Sequence, residues 1–174
     1  MQIDEELCEA LMAADSGLED DTAAHQFEHA LEVQLPFMRH VAGPEVKFAP
    51  ITIGTGSWIR LAELGRAIGE VLQKIGEPVL VIASTDMNHY ESDAITRVKD
   101  RKAIDQVLAL DPEGLYDTVE RENISMCGYG PSTSMLVAAK MLGSSNAELV
   151  KYATSGDISG DFDRVVGYAG MMVI

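Results

Sequence analysis

Two apolar stretches on either side of a long amphipathic segment constrain the fold most strongly. "VKFAPITIGTG" covers residues 46–56 and "EPVLVIAST" covers residues 77–85, and both are rich in β-branched side chains. Short apolar runs of this kind are typical of buried strands, and the second is typical of a central strand covered on both faces. Because a helical pattern at residues 57–76 separates them, we expect an α/β layered fold.

The remaining patterns continue this alternation along the chain. Helical spacing of apolar residues predicts helices, and continuous apolar runs predict two closing strands around a polar loop. Pro36 predicts a kink or an end in the second helix, because proline lacks the N–H that a helix interior needs. The predicted helices are residues 3–15, 27–43, 57–76, 92–110, 111–122 and 131–143, and the closing strands are residues 146–157 and 164–174.

Length and charge restrict the classes of function. The chain has 174 residues and a net charge of −15, from 13 basic and 28 acidic side chains. This length predicts a single domain that spans residues 1–174. So acidic a surface repels nucleic-acid phosphates and anionic lipids, which argues against nucleic-acid and membrane-surface roles.

Cysteine usage and the first residues predict a cytoplasmic protein. Cys8 and Cys127 stand in unrelated contexts and form no disulfide framework, as expected in a reducing compartment. The opening residues "MQIDEELCEA" lack the basic and apolar regions of a secretory signal. No apolar run reaches the ~20 residues that a membrane span needs.

The segment "STDMNHYES", residues 84–92, places polar side chains where the second apolar run ends. Sites in open α/β sheets form beyond the strand ends. His89 could bind a metal or act as a general base, and Asp86 could orient it or bind the metal with it. Alternatively, the segment is a turn, and Asp86 caps it.

Two further stretches carry candidate ligands. In "HQFEHALEVQ", His25 and His29 stand four residues apart with Glu28 beside the second. On a helix they would share a face and could hold a divalent metal, or they lie on a solvated acidic helix. Cys127 in "SMCGYGPS" precedes a predicted helix start, which favours a reactive thiolate, or it is a packed cysteine in a glycine turn.

The loop "TSGDISGD", residues 154–161, offers oxygen ligands through Ser155 and Asp157. Such a loop could bind a cation, although its spacing does not match an EF-hand. It could equally serve only to connect the two closing strands.

Five stretches together resemble the Memo family, whose bacterial and archaeal members are called AmmeMemoRadiSam system protein B. In chain order they are "EHALEVQLPF", "FAPITIGTG", "VIASTDMNHYES", "ISMCGYGP" and "VKYATSGDISGDFDRVVGYAG". The resemblance implies a three-layer α/β sandwich with a central mixed sheet. It also implies a fold similar to the class III extradiol dioxygenases, which hold non-haem Fe(II) with two histidines and a glutamate.

The resemblance also implies site residues, cofactors and partners. His29 matches a pocket histidine of the family, and Cys127 matches the cysteine of a Cys-Gly motif. The expected metal ligands are His29, Asp86 and His89, the catalytic residues are Asp86 and His89, and the binding residues are Glu28, Cys127, Ser155 and Asp157. The implied cofactor is Fe(II) or copper. The implied partners are a radical-SAM protein and an AMMECR-type protein.

The chain departs from the family pattern in two places. Family members carry an N-terminal segment with a "HAGY-YSG"-like motif, whose histidine is a further pocket ligand, and this chain begins after it. We therefore expect the first strand region and one metal ligand of the family to be missing here. Ile158 stands where animal members have a pocket cysteine, which argues against copper–thiolate redox chemistry.

Two classes of function follow from these observations. The first is a non-haem metal-dependent oxidoreductase, because two imidazoles and a carboxylate leave coordination positions open for substrate and oxygen. The second is a non-catalytic binding module that uses the same pocket for a peptide or protein partner, since a fold does not determine a function.

Overall fold

The fold is α/β, as the sequence predicts, and the computed structural model describes residues 1–174. The helices are α1 (Glu5–Ala14), α2 (Thr22–His25), α3 (Leu35–Ala42), α4 (Trp58–Ile75), α5 (Asp93–Leu108), α6 (Pro112–Arg121), α7 (Tyr129–Met141) and α8 (Gly156–Ser159). The strands are β1 (Gln2–Ile3), β2 (Lys47–Phe48), β3 (His89–Glu91), β4 (Ala147–Thr154) and β5 (Val165–Val173). No helix combines the length and the apolar character that a membrane crossing requires.

The strands pair in both directions. β1 and β2 form a short parallel pair in which Gln2 lies opposite Lys47. β3, β5 and β4 form an antiparallel sheet with β5 in the centre. The combination of parallel and antiparallel pairing with packed helices is consistent with the expected three-layer sandwich.

The larger apolar core lies between α5, α6, α7 and the antiparallel sheet. Its nine buried side chains are Met87, Ala103, Ile104, Val107, Leu115, Val119, Ile124, Met126 and Leu136. Met87 and Met126 belong to the two irregular segments that precede β3 and α7. Burial of both methionines therefore anchors these segments to the same core.

A smaller core joins α1, α4 and α7. Leu11, Leu64, Ile68, Val71 and Ala138 are its buried members. A buried hydrogen bond, in which the Ser134 hydroxyl donates to the Leu61 carbonyl at 2.9 Å, also links α7 to α4.

Several predicted helix boundaries are confirmed. The Asp111 carboxylate caps α6 by accepting the Gly114 N–H at 2.9 Å, and Pro112 is the first helical residue. Ser57 precedes α4, although its side chain makes no capping hydrogen bond. Gly76 ends α4 with φ 71°, a left-handed conformation that favours glycine.

The prediction for Pro36 is wrong. α3 begins at Leu35, so Pro36 lies in its first turn rather than at its end, and residues 30–34 form turns. Proline is tolerated in a first helical turn because the N–H it lacks would have no acceptor inside the helix. Consequently His25 and His29 do not share a helix face.

The prediction of a buried central strand at residues 77–85 is also wrong. Residues 78–87 form no regular secondary structure, and Leu80 is 81% exposed. Of residues 46–56, only Lys47 and Phe48 join a ladder. A strand needs a neighbour to satisfy its backbone groups, and no strand pairs with residues 77–85 or with residues 49–56.

Candidate metal centre

Asp86, His89 and Cys127 meet in one group. A carboxylate oxygen, an imidazole nitrogen and a sulfur from these residues lie within 4.8 Å of one another. His89 Nε2 is 3.5 Å from Asp86 Oδ2, and the Asp86 N–H donates to Cys127 Sγ at 3.2 Å. The structure therefore brings the acid and the histidine of one segment next to a cysteine that lies 41 residues after Asp86 in the chain.

Pairing with β5 fixes the segment that carries the acid and the histidine. The Met87 N–H donates to the Gly167 carbonyl at 2.9 Å, and the Gly167 N–H donates to the Asn88 carbonyl at 3.0 Å. His89 then begins β3 opposite Val166. Burial of the Met87 side chain in the core anchors the segment further, and the Asp86, His89 and Cys127 donors lie close together beside it.

Side-chain hydrogen bonds hold the cysteine segment against this one. The Gly128 N–H donates to Thr85 Oγ1 at 2.9 Å, and the His89 N–H donates to Ser125 Oγ at 2.7 Å. Gly128 is required for the approach, because a Cβ there would overlap the Ser84 carbonyl oxygen and the Thr85 side chain. Hydrogen bonds on both sides of Cys127 thus fix its position.

A buried carboxylate supports the acid–histidine segment from α5. Asp100 accepts the Asn88 N–H at 2.8 Å and the Tyr152 hydroxyl at 2.7 Å. Burial raises the pKa of Asp100 above its usual range, while these two hydrogen bonds and His89 act in the opposite direction. Burial and the neighbouring Asp100 likewise raise the pKa of Tyr152.

The donor set fits a transition metal. The side chain of His89 is 18% exposed and that of Asp86 is 48% exposed, and Cys127 is exposed as well, so all three residues reach solvent. No lysine or arginine pairs with Asp86, whose ion-pair partner is His89. A carboxylate, an imidazole and a thiol suit iron, copper or zinc, and three protein ligands leave further coordination positions open.

The structure does not bring His29 into this group. Its side chain is 85% exposed and lies 3.9 Å from the Glu28 carboxylate. Glu28 accepts the N–H groups of Ala30 and His29, both at 2.8 Å, and these bonds lower its pKa. His25 Nδ1 lies 3.1 Å from Thr52 Oγ1. A ligand role for His29 and a binding role for Glu28 stay predictions.

Ser155 and Asp157 also lie outside the group and take part in a separate network. The Ser155 hydroxyl accepts the Val166 N–H at 3.1 Å. The Asp157 carboxylate accepts the Thr154 N–H at 2.8 Å and binds Arg97 of α5 at 2.7 Å. These bonds connect the end of β4 to β5 and α5, and a binding role for the two residues stays a prediction.

Sequence reasoning missed the residues that hold the ligands in place. Thr85 and Ser125 supply the cross-links, and Asp100 supplies a buried acceptor. The only signal was position, because Thr85 precedes Asp86 and Ser125 lies two residues before Cys127. Asp100 gave no signal, since an aspartate within a charged helix pattern is typical of a solvated face.

Comparison with known proteins identifies the family. The sequence profile of the family described as "Memo-like protein" matches residues 1–172. The chain belongs to the Memo family. A MEMO1 family protein of Methanopyrus kandleri is 44% identical over 172 residues, which are 99% of this chain and 61% of that protein. MEMO1 family proteins of Pyrobaculum aerophilum and Methanosarcina mazei are 43% and 40% identical, each over 99% of this chain.

The Memo-family chain spans about three-fifths of the length of these relatives, because the matched parts are 61% to 64% of them. The matched range, residues 1–172, spans the positions of Asp86, His89 and Cys127.

Proposed function

We propose that this Memo-family chain binds a transition metal, iron or copper, through Asp86, His89 and Cys127. The observation that carries the proposal is the convergence of three chemically different donors within 4.8 Å. They come from two separate segments, and a shared core and hydrogen bonds on both sides of Cys127 hold them together. A dioxygenase-like pocket in the complete family fold is part of the same proposal.

The bound metal would supply redox chemistry, and the protein's own residues would position it and handle protons. Without the metal, His89 can hold a proton, with Asp86 3.5 Å from its Nε2 atom to orient the ring, and the ligating ring nitrogen has to lose its proton when the metal binds. The segment containing Cys127 closes the other side of the site through the Asp86 N–H bond to sulfur. We extend the proposal to a redox role alongside a radical-SAM protein and an AMMECR-type partner.

Metal titration under anaerobic conditions tests the ligand assignment. Wild-type protein should bind about one Fe(II) or copper ion per chain, and His89→Ala and Cys127→Ser should each lose most of that binding. His40→Ala is the matched control, because His40 is exposed in the last turn of α3. His29→Ala distinguishes the ligand set that includes His29 from the set that includes Cys127. If the metal binds to Asp86, His89 and Cys127, this variant should keep wild-type metal affinity. Full binding by both His89→Ala and Cys127→Ser would refute the proposal.

A second candidate function is a non-catalytic binding module. Large apolar side chains are exposed on the irregular segments and on α3, namely Phe27, Phe37, Val41 and Leu80. Residues 49–56 and 78–86 also make no backbone hydrogen bond with another strand. Exposed apolar groups and unpaired backbone are what a polypeptide partner would cover. This candidate predicts full partner binding by the His89→Ala variant, whereas the metal proposal predicts a loss of metal content.

A further inference from the structure

Asn88 lies between the two residues of the acid–histidine pair and is completely buried. Its relative exposure is 0%, the same as that of Met87 beside it. Asparagine is rarely buried in this way unless its amide is fully hydrogen-bonded, because an unpaired buried amide costs about 1–3 kcal/mol.

The amide uses its whole bonding capacity. The Asn88 Nδ2 group donates to Glu91 Oε2 at 2.7 Å and to Thr96 Oγ1 at 3.3 Å. Asn88 Oδ1 accepts from the N–H and from the hydroxyl of Ser125, both at 3.0 Å. Two donors and two acceptors are the maximum for a carboxamide, a group that only asparagine and glutamine carry.

These bonds join the two segments that carry the ligands. Glu91 and Thr96 fix the amide to β3 and α5, while Ser125 lies two residues before Cys127. The same Ser125 hydroxyl accepts the His89 N–H at 2.7 Å. Asn88 and Ser125 thus form one continuous connection from His89 to the segment of Cys127.

We infer that Asn88 is a positioning residue of the metal centre, which sets the distance between Cys127 and the Asp86–His89 pair through Ser125. This inference rests on the proposed metal site. Asn88 contacts no metal ligand with its own side chain, and its amide acts only through the segments it connects. Residues that orient metal ligands in this way typically change metal affinity about 10- to 100-fold when they are replaced.

A cobalt titration tests this role with a spectroscopic signal that folding alone does not give. Co(II) bound through a thiolate gives a charge-transfer band in the near ultraviolet, and Cys127→Ser should remove it. We expect Asn88→Ala to bind Co(II) about 10- to 100-fold more weakly than wild type and to lose most of the band. Ser125→Ala should also lower the Co(II) affinity and weaken the band. If Asn88→Ala does not fold, the result for Ser125→Ala tests the positioning role.

Ser134→Ala is the matched control, since it also removes a serine hydroxyl with a hydrogen bond to a neighbouring segment, but between α7 and α4. It should lower stability and leave the Co(II) affinity and the band unchanged. Wild-type affinity and a full band in Asn88→Ala, or in Ser125→Ala alone if the former does not fold, would overturn the positioning role while leaving the metal site intact. Absence of the band in wild type would overturn the proposed function, and the positioning role with it.

Discussion

Replacement of Gly128 by alanine tests how tightly the two ligand segments are packed. Gly128 has φ −100°, which an alanine adopts without strain. The added Cβ would nevertheless overlap the Ser84 carbonyl oxygen and Thr85 Cβ, and it would lie 2.7 Å from Thr85 Oγ1. Most of these contacts are with backbone or with the base of a side chain, so the segments themselves must separate.

The expected loss of stability in Gly128→Ala is the sum of two energetic costs. Overpacking of a close contact costs about 1–3 kcal/mol. The 2.9 Å hydrogen bond from the Gly128 N–H to Thr85 Oγ1 would lengthen, and its loss costs about 0.5–1.5 kcal/mol. We therefore expect Gly128→Ala to lower the free energy of unfolding by about 1.5–4.5 kcal/mol, the sum of the two costs. Metal affinity should fall as well, because Cys127 is the adjacent residue.

Urea unfolding followed by far-UV circular dichroism measures this loss, and a Co(II) titration measures the effect on the site. Gly170→Ala is the matched control, because Gly170 lies in β5 with open space where its Cβ would be placed. The control should stay within about 0.5 kcal/mol of wild type. If Gly128→Ala were as stable as Gly170→Ala and bound Co(II) with wild-type affinity, the close packing of the segments would be refuted.

Two further predictions concern stability away from the Asp86, His89 and Cys127 group. The Thr154 N–H and the Arg97 guanidinium hold the pKa of Asp157 below its usual range, so its contribution is present above pH about 4 and is lost as the pH falls. Asp157→Asn should flatten the fall in unfolding free energy between pH about 5 and about 3, measured by urea titrations at each pH, and an unchanged slope would contradict this role. Asp111→Ala should cost about 1 kcal/mol in the same assay, because its carboxylate caps α6, whereas Ser57→Ala should be close to neutral because Ser57 makes no capping bond. Equal losses in the two variants would contradict the capping assignment.

Local sequence patterns were sufficient to predict most helices and the two closing strands. α4, α5 and α6 lie where apolar spacing predicts them, and β4 and β5 pair around the predicted loop. These elements satisfy their own backbone groups or pair with a neighbour close in sequence. The family resemblance was also readable from five short stretches, and the family match confirms it.

Strand formation at residues 77–85 could not be predicted in the same way. The apolar residues of this segment favour a buried strand. A strand also depends on a partner elsewhere in the chain, and no strand pairs with residues 77–85. The prediction of a helix over residues 27–43 with a kink or an end at Pro36 failed for a related reason, since Pro36 is equally compatible with the first turn of a helix and with its end.

By itself, the sequence determined the α/β class, the family and the presence of Asp86 and His89 on one short polar segment, because these depend on local pattern and residue type. Only the tertiary structure decided that Cys127 lies beside Asp86 and His89 while His29 lies apart. It also decided that the two segments are held together at Asn88, Ser125 and Gly128. The physical reason is that ligand geometry depends on distances between segments. Those distances are determined by shared core packing and by buried hydrogen bonds, which residue spacing along the chain does not reveal.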